Sequence, residues 1–191
     1  MSFLKKRSGA VLVAVVIIIL SSFFAANRSL SEKVKEVNDL FLNGVYDSNV
    51  GYKQKSVKSQ LDVRAAASLN LISVGANYKD TAKETDALRS AREIFQNGLS
   101  KAAGPAKLFA ENQDVQKAFN ALYAKLTALT LDSRDKTIAD DSQSRMINAA
   151  AMIEKSGYNE AVREFDRKVL SVFPTNFISR FAMVNGPELF E

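Results

Sequence analysis

An all-α fold, an N-terminal transmembrane helix followed by a long antiparallel helical bundle, is predicted by three features of the 191-residue sequence. An uncharged apolar run follows a basic N-terminus. Downstream, apolar residues recur at three- and four-residue steps, the repeat of a helix with one buried face. Runs that alternate residue by residue, as a half-buried strand would, are almost absent.

The N-terminal flank, residues 1–8, carries Lys5, Lys6 and Arg7, and residues 9–26 (GAVLVAVVIIILSSFFAA) hold no charge. At about 1.5 Å per residue this run spans roughly 27 Å as a helix, enough for a bilayer core. The β-branched run Val15 to Ile19 suits lipid, where every backbone group is satisfied inside the helix and side chains meet hydrocarbon. A cleaved signal peptide has the same charge and hydropathy plan, but cleavage wants small residues at −3 and −1. Cutting after Ala26 puts Phe24 at −3, and cutting after Ala25 puts Phe23 there, so a retained signal-anchor is expected. The basic flank places the N-terminus in the cytoplasm and the remaining domain outside it.

Residues 27–191 read as one helical domain. Leu30, Val34, Val37 and Phe41 continue the anchor as an amphipathic helix to about Asn43. Gly44 to Lys55 has the composition of a loop. Ser56 is a candidate N-cap for a second helix to about Tyr78, with Val57, Leu61, Ala65, Leu69, Ile72 and Ala76 on one face. A third helix starts at Asp80 or Thr81, turns Leu88, Ala91 and Phe95 inward, and ends between Gly98 and Pro105. Asn112 to Leu131 form a fourth, striped by Val115, Phe119, Leu122, Leu126 and Leu129. A fifth runs from Lys136 to Phe173 through Met146, Ala149, Ile153, Gly157, Ala161, Phe165, Val169 and Val172, and stops at Pro174. Short connections favour an antiparallel bundle, and the runs Ala65 to Ala67 and Ala149 to Ala151 allow close helix approach.

Composition removes several function classes. With no Cys and no His, Ser-His-Asp and Cys-His hydrolases and His- or Cys-ligated metal centres are excluded. The net charge of +5 belongs mainly to the flank. From Arg28 onward 23 basic residues face 21 acidic ones, leaving +2, too little for a nucleic-acid surface. The densest later basic cluster, Lys53, Lys55 and Lys58, reads as a solvated loop and first helical turn. No phosphate loop, dinucleotide fingerprint or nucleophile elbow is present. Adjacent acids Asp140 and Asp141 point about 100° apart on a helix and suit a solvated helix start. No spacing selects a Ser-Lys dyad, and Tyr46, Tyr52 and Tyr78 read as packing residues. No enzyme, no cofactor and no metal are therefore expected.

Particular residues nevertheless form a pattern. Tyr158-Asn159-Glu160-Ala161-Val162, Phe165-Asp166, Val169, Phe173-Pro174 and the closing Phe190-Glu191 resemble the signature of the LemA family. Gln60-Leu61, Arg64, Asn70-Leu71, Tyr78 and Ala91-Arg92 keep the spacing of an earlier stretch of that family. Five positions depart from the family pattern: Leu69 replaces a proline, Val63 an arginine, Phe165-Asp166 a second Tyr-Asn pair, and Lys155 an arginine. The resemblance is that of a divergent member and covers nearly the whole chain. It implies a membrane-anchored helical protein without established catalytic activity, associated with envelope proteins such as membrane proteases or with membrane organelles.

From the residues alone, the motif reads as packing. Phe173 and Pro174 end the helix so that Phe177, Phe181 and Phe190 fold back as an apolar cover, and Tyr158 and Asn159 bond a neighbouring helix. The expected function is a membrane-tethered interaction or scaffold module, with the bilayer and envelope proteins as partners and no nucleic acid. One alternative is a sensory bundle binding a small molecule between helices, with a pocket of a few hundred Å3. The other is an envelope hydrolase with two acids about 5–10 Å apart in a cleft.

Overall fold

The computed structural model describes residues 7–44, 46–47, 52–53, 55–172, 175–176, 179 and 186–191. The chain is all-α, with a long apolar helix at its N-terminal end. Two compact units are present, Met1–Asn38 with Ala161–Pro187 and Asp39–Glu160 with Glu188–Glu191.

α1 (Arg7–Asn43) is one uninterrupted helix. Val11, Leu12 and Val15 to Leu20 are exposed along it, and the helix is long and apolar enough to cross a membrane. Ser21 does not spoil the apolar surface. Its hydroxyl donates back to the carbonyls of Ile17 (2.8 Å) and Ile18 (3.0 Å), so it is satisfied within the helix. Of the amphipathic continuation, Leu30 and Phe41 are buried, and Val34 and Val37 half-buried.

The first unit also contains most of α6 (Tyr158–Phe165) and the π-helical turn Asp166–Leu170 directly after it. Among its described residues, Leu30, Val162 and Phe165 are the buried large apolar side chains.

The second unit is a bundle of α2 (Val57–Gly75), α3 (Ala82–Ser100), α4 (Pro105–Thr127) and α5 (Ser133–Glu154). α2 lies antiparallel to α5, since Arg64 meets Met146 at one end and Asn77 meets Asp135 at the other. Ala65, Ala67 and Ala149 are buried, and α2 and α5 share the most extensive interhelical contact. The small side chains thus permit the expected close approach. Leu61, Leu71, Leu88, Phe95, Phe119, Leu122 and Leu126 are wholly excluded from solvent and fill the centre.

Several sequence expectations are corrected. Gly44 to Lys55 is more than a loop: β1 (Tyr46–Asp47) and β2 (Tyr52–Lys53) pair antiparallel in a small hairpin. Ser56 does cap α2, accepting from the Ser59 N–H at 3.0 Å, but the helix stops at Gly75. Leu69 and Ala76 leave its buried face, Leu69 being 46% exposed. Each four-residue step overshoots a turn by about 40°, so the core-facing row must alternate three-residue steps with fours. It passes through Arg64, Ser68, Leu71 and Gly75 instead.

α4 begins at Pro105, seven residues before the expected Asn112, because proline at the first helical position forfeits no hydrogen bond. The expected long fifth helix is two helices. Gly157 takes φ +69, a left-handed conformation that ends α5 and lets α6 start afresh at Tyr158. Phe173, Pro174, Phe177 and Phe181 lie outside the described residues.

Candidate functional site

The break at Gly157 sets up a clasp for the last four residues. Ser156 Oγ accepts from the Tyr158 N–H at 3.3 Å, and the Tyr158 ring is buried. Its hydroxyl donates to the carbonyl of Glu188 at 2.7 Å. The neighbouring Asn159 side chain donates to the carbonyl of Phe190 (2.9 Å) and accepts from its N–H (2.8 Å). One side-chain amide thereby satisfies both main-chain groups of one residue, as an adjacent strand would. The Phe190 ring is buried, with its centroid 5.8 Å from Phe41 and 5.2 Å from Phe109, the latter edge to face. Phe41 also meets Tyr158 edge-on at 5.2 Å. Burial, and then the charge of Glu188, push the Tyr158 hydroxyl up to about 12, so it stays a donor at neutral pH.

A second feature lies inside the bundle. Arg64 is 2% exposed, because the shifted row of α2 turns it inward. One guanidinium nitrogen donates to the Met146 carbonyl at 3.3 Å and another to Gln116 Oε1. Its Nε has no partner, and no carboxylate pairs with it among the described residues. Burial pushes the guanidinium down to about 10. Ser68 Oγ donates to the Arg64 carbonyl (2.8 Å), and Gln116 donates onward to Asn120 (2.8 Å), which positions Gln116.

A third cluster ties the end of α2 to the start of α5. Asp132 caps α5 by accepting from the Asp135 N–H at 2.7 Å, and its own N–H donates to the Tyr78 hydroxyl at 3.3 Å. Asn77 donates to the buried Asp135 carboxylate at 3.0 Å. Thr81 donates to the Gly75 carbonyl at 2.7 Å and closes the turn. This is a mechanical knot of caps rather than a reactive group.

Exposed acids obey a different plan. Asp62 pairs with Lys58, Asp140 with Lys136, and Asp141 with Arg145, each four residues away on its own helix. Such pairs solubilise a helix face and contribute little stability. Asp140 also accepts from the Tyr123 hydroxyl of α4 at 3.0 Å. Among the described residues no group of three or more acidic side chains has the arrangement to hold a metal ion.

The motif residues therefore divide. Tyr158, Asn159 and Phe190 come together in the clasp, where the polar pair holds the tail rather than a neighbouring helix as expected. Gln60, Leu61, Arg64 and Leu71 are buried in the bundle, while Asn70 is exposed. Tyr78 joins the α2–α5 knot, and Phe165 is buried in the other unit. Phe41, Phe109, Gln116 and Asp135 complete these clusters, and no sequence signal marks them as site residues. Phe109 precedes the expected start of α4 by three residues; the Gly104-Pro105 start signal would have brought it into the helix. No family model, curated protein or solved structure matches the chain.

Proposed function

We propose that this protein is a non-catalytic, single-pass membrane-tethered interaction module of the LemA type. The observation that carries the tether is the exposed apolar surface of α1 from Val11 to Leu20, which lipid accommodates and water does not. Bulky Phe23 and Phe24 support retention of the segment as a signal-anchor in the cytoplasmic membrane. The basic residues Lys5, Lys6 and Arg7 support an N-terminus in the cytoplasm and a bundle outside it.

The interaction role is supported by two properties of the bundle unit. Leu69, Ile94 and Ile147 are large apolar side chains left exposed on α2, α3 and α5, available for desolvation by a partner. Asp62, Asp140 and Asp141 on its helix faces are each paired with a basic residue four positions away, which suits a surface more than a reactive cleft. The pairing of Tyr158-Asn159 with Phe190 gives a physical reason for the two ends of the LemA-like motif to occur together. Affinity purification of the full chain from gently solubilised membranes, alongside a variant lacking residues 1–26, tests the reading. Envelope proteins are expected to copurify with the full chain; recovery of no partner overturns the scaffold role.

A small-molecule-binding bundle is the second reading, favoured by Arg64, whose buried guanidinium lacks a carboxylate among the described residues. It predicts that millimolar phosphate or acetate raises the melting temperature of the wild type but not of Arg64→Met. Equal shifts in both chains remove it.

A further inference from the structure

The clasp holds its segment mainly through main-chain groups and one ring. Asn159 contacts the main chain of Phe190, and Tyr158 contacts the main chain of Glu188. The Phe190 ring supplies the buried side-chain contact, against Phe41 and Phe109. Glu188 and Glu191 are exposed, the Glu188 carboxylate lying beside Gly104, and Leu189 is half-buried. Recognition thus centres on main-chain groups and one aromatic ring in register with Asn159, the main-chain part as in peptide docking onto a strand edge.

We propose that the clasp is a peptide-recognition site whose ligand in trans is the Glu188–Glu191 segment of a second copy of this chain. The segment already seated on the site defines the ligand, and every copy carries both the segment and its receptor. When a tail leaves its own site, the freed tail and the freed site are each complementary to those of another molecule. Reciprocal exchange then yields a symmetric dimer with no new interface chemistry.

The cis tail is the resident competitor. Tethering gives it an effective concentration on the order of millimolar, so the closed state prevails in dilute solution and exchange is favoured where copies are crowded. Crowding on a bilayer surface rests on the membrane reading; the recognition site itself does not. A chain that failed to stay in membranes would leave the peptide-binding result unchanged.

The test uses the full chain in detergent and a fluorescent peptide of sequence Gly-Pro-Glu-Leu-Phe-Glu. In the chain, Phe190→Ala weakens the resident tail while keeping its length. This variant is expected to bind the peptide at least ~10-fold more tightly than the wild type, whose own tail competes. Adding Asn159→Ala abolishes that binding, and so does alanine at the peptide's phenylalanine. Where Asn159→Ala does not fold, Asn159→Asp serves, since it keeps the acceptor for the N–H and loses the donor. Mixing Asn159→Ala chains (tail intact) with Phe190→Ala chains (site intact) is expected to give a heterodimer that neither forms alone, read by native mass spectrometry. Equal peptide binding by Phe190→Ala and wild type, binding that survives loss of the Asn159 donor, or no heterodimer in the mixture would each overturn the proposal.

Discussion

Replacing Arg64 with methionine isolates the cost of a buried charge without leaving a hole. The guanidinium is 2% exposed, and burial lowers its pKa to about 10. The displacement from the ordinary arginine value corresponds to ~3 kcal/mol against the charged form, at about 1.4 kcal/mol per pH unit. Methionine removes that cost and retains most of the buried stem. It also removes two charge-assisted hydrogen bonds, each contributing about 1.5 kcal/mol at the low end. The Met146 carbonyl lies within α5 and Gln116 is half-buried beside Asn120, so neither acceptor is stranded. The two sides offset, and Arg64→Met is expected to fall within ~1 kcal/mol of wild type. Arg64→Ala instead leaves a cavity and should lose about 2–5 kcal/mol. Urea unfolding of both variants in detergent, at equal m-value, measures this. A loss above ~3 kcal/mol for Arg64→Met would refute the reasoning, because the hydrogen bonds would then far outweigh the desolvation they offset.

Three further outcomes are expected. In Gly75→Ala the new Cβ would stand 2.4 Å from Thr85 Oγ1 and 3.2 Å from both Leu122 methyl carbons, in a wholly buried setting. It should destabilise the bundle by ~1–3 kcal/mol in the same unfolding assay. Gly157→Ala meets no atom within 4 Å yet keeps a left-handed φ, so its expected loss of ~1 kcal/mol is purely conformational. Gly157→Asn should recover part of it. For Tyr158, the folded pKa of about 12 lies above the unfolded value near 10. Its contribution is therefore complete below pH 10 and is lost as pH rises through 12, where ionisation removes the donor to Glu188. Exchange of the Phe190 amide, measured in that window, should lose protection in wild type more steeply than in Tyr158→Phe.

Much of the bundle is legible in the sequence because its information is local. Ser56 as a cap, the Val115, Phe119, Leu122 and Leu126 stripe, and the buried Leu88 and Phe95 all come from three- and four-residue spacing and from side-chain capping chemistry. Sequence and structure part where a local signal admits two geometries. Gly157 fits a helical stripe as well as a left-handed stop, and the backbone takes the second, with φ +69. Pro105 can end a helix, but its missing N–H equally suits a helix start, and the structure takes the second option. Leu69 continues an i, i+4 series that rotates off the core, while polar Arg64 and Ser68 rotate into it. The clasp is least legible. Asn159 and Phe190 are 31 residues apart, and their bonds run from a side chain to a main chain, which leaves no periodic trace.

Membrane retention of α1 is the central claim, and one measurement addresses it directly. Membranes from cells making the full chain are washed with alkaline carbonate, and the intact mass of the protein in the pellet is determined. The whole chain is expected in the pellet, at 21.0 kDa. Release into the wash, or a pellet species shortened by the first 26 residues, would contradict it.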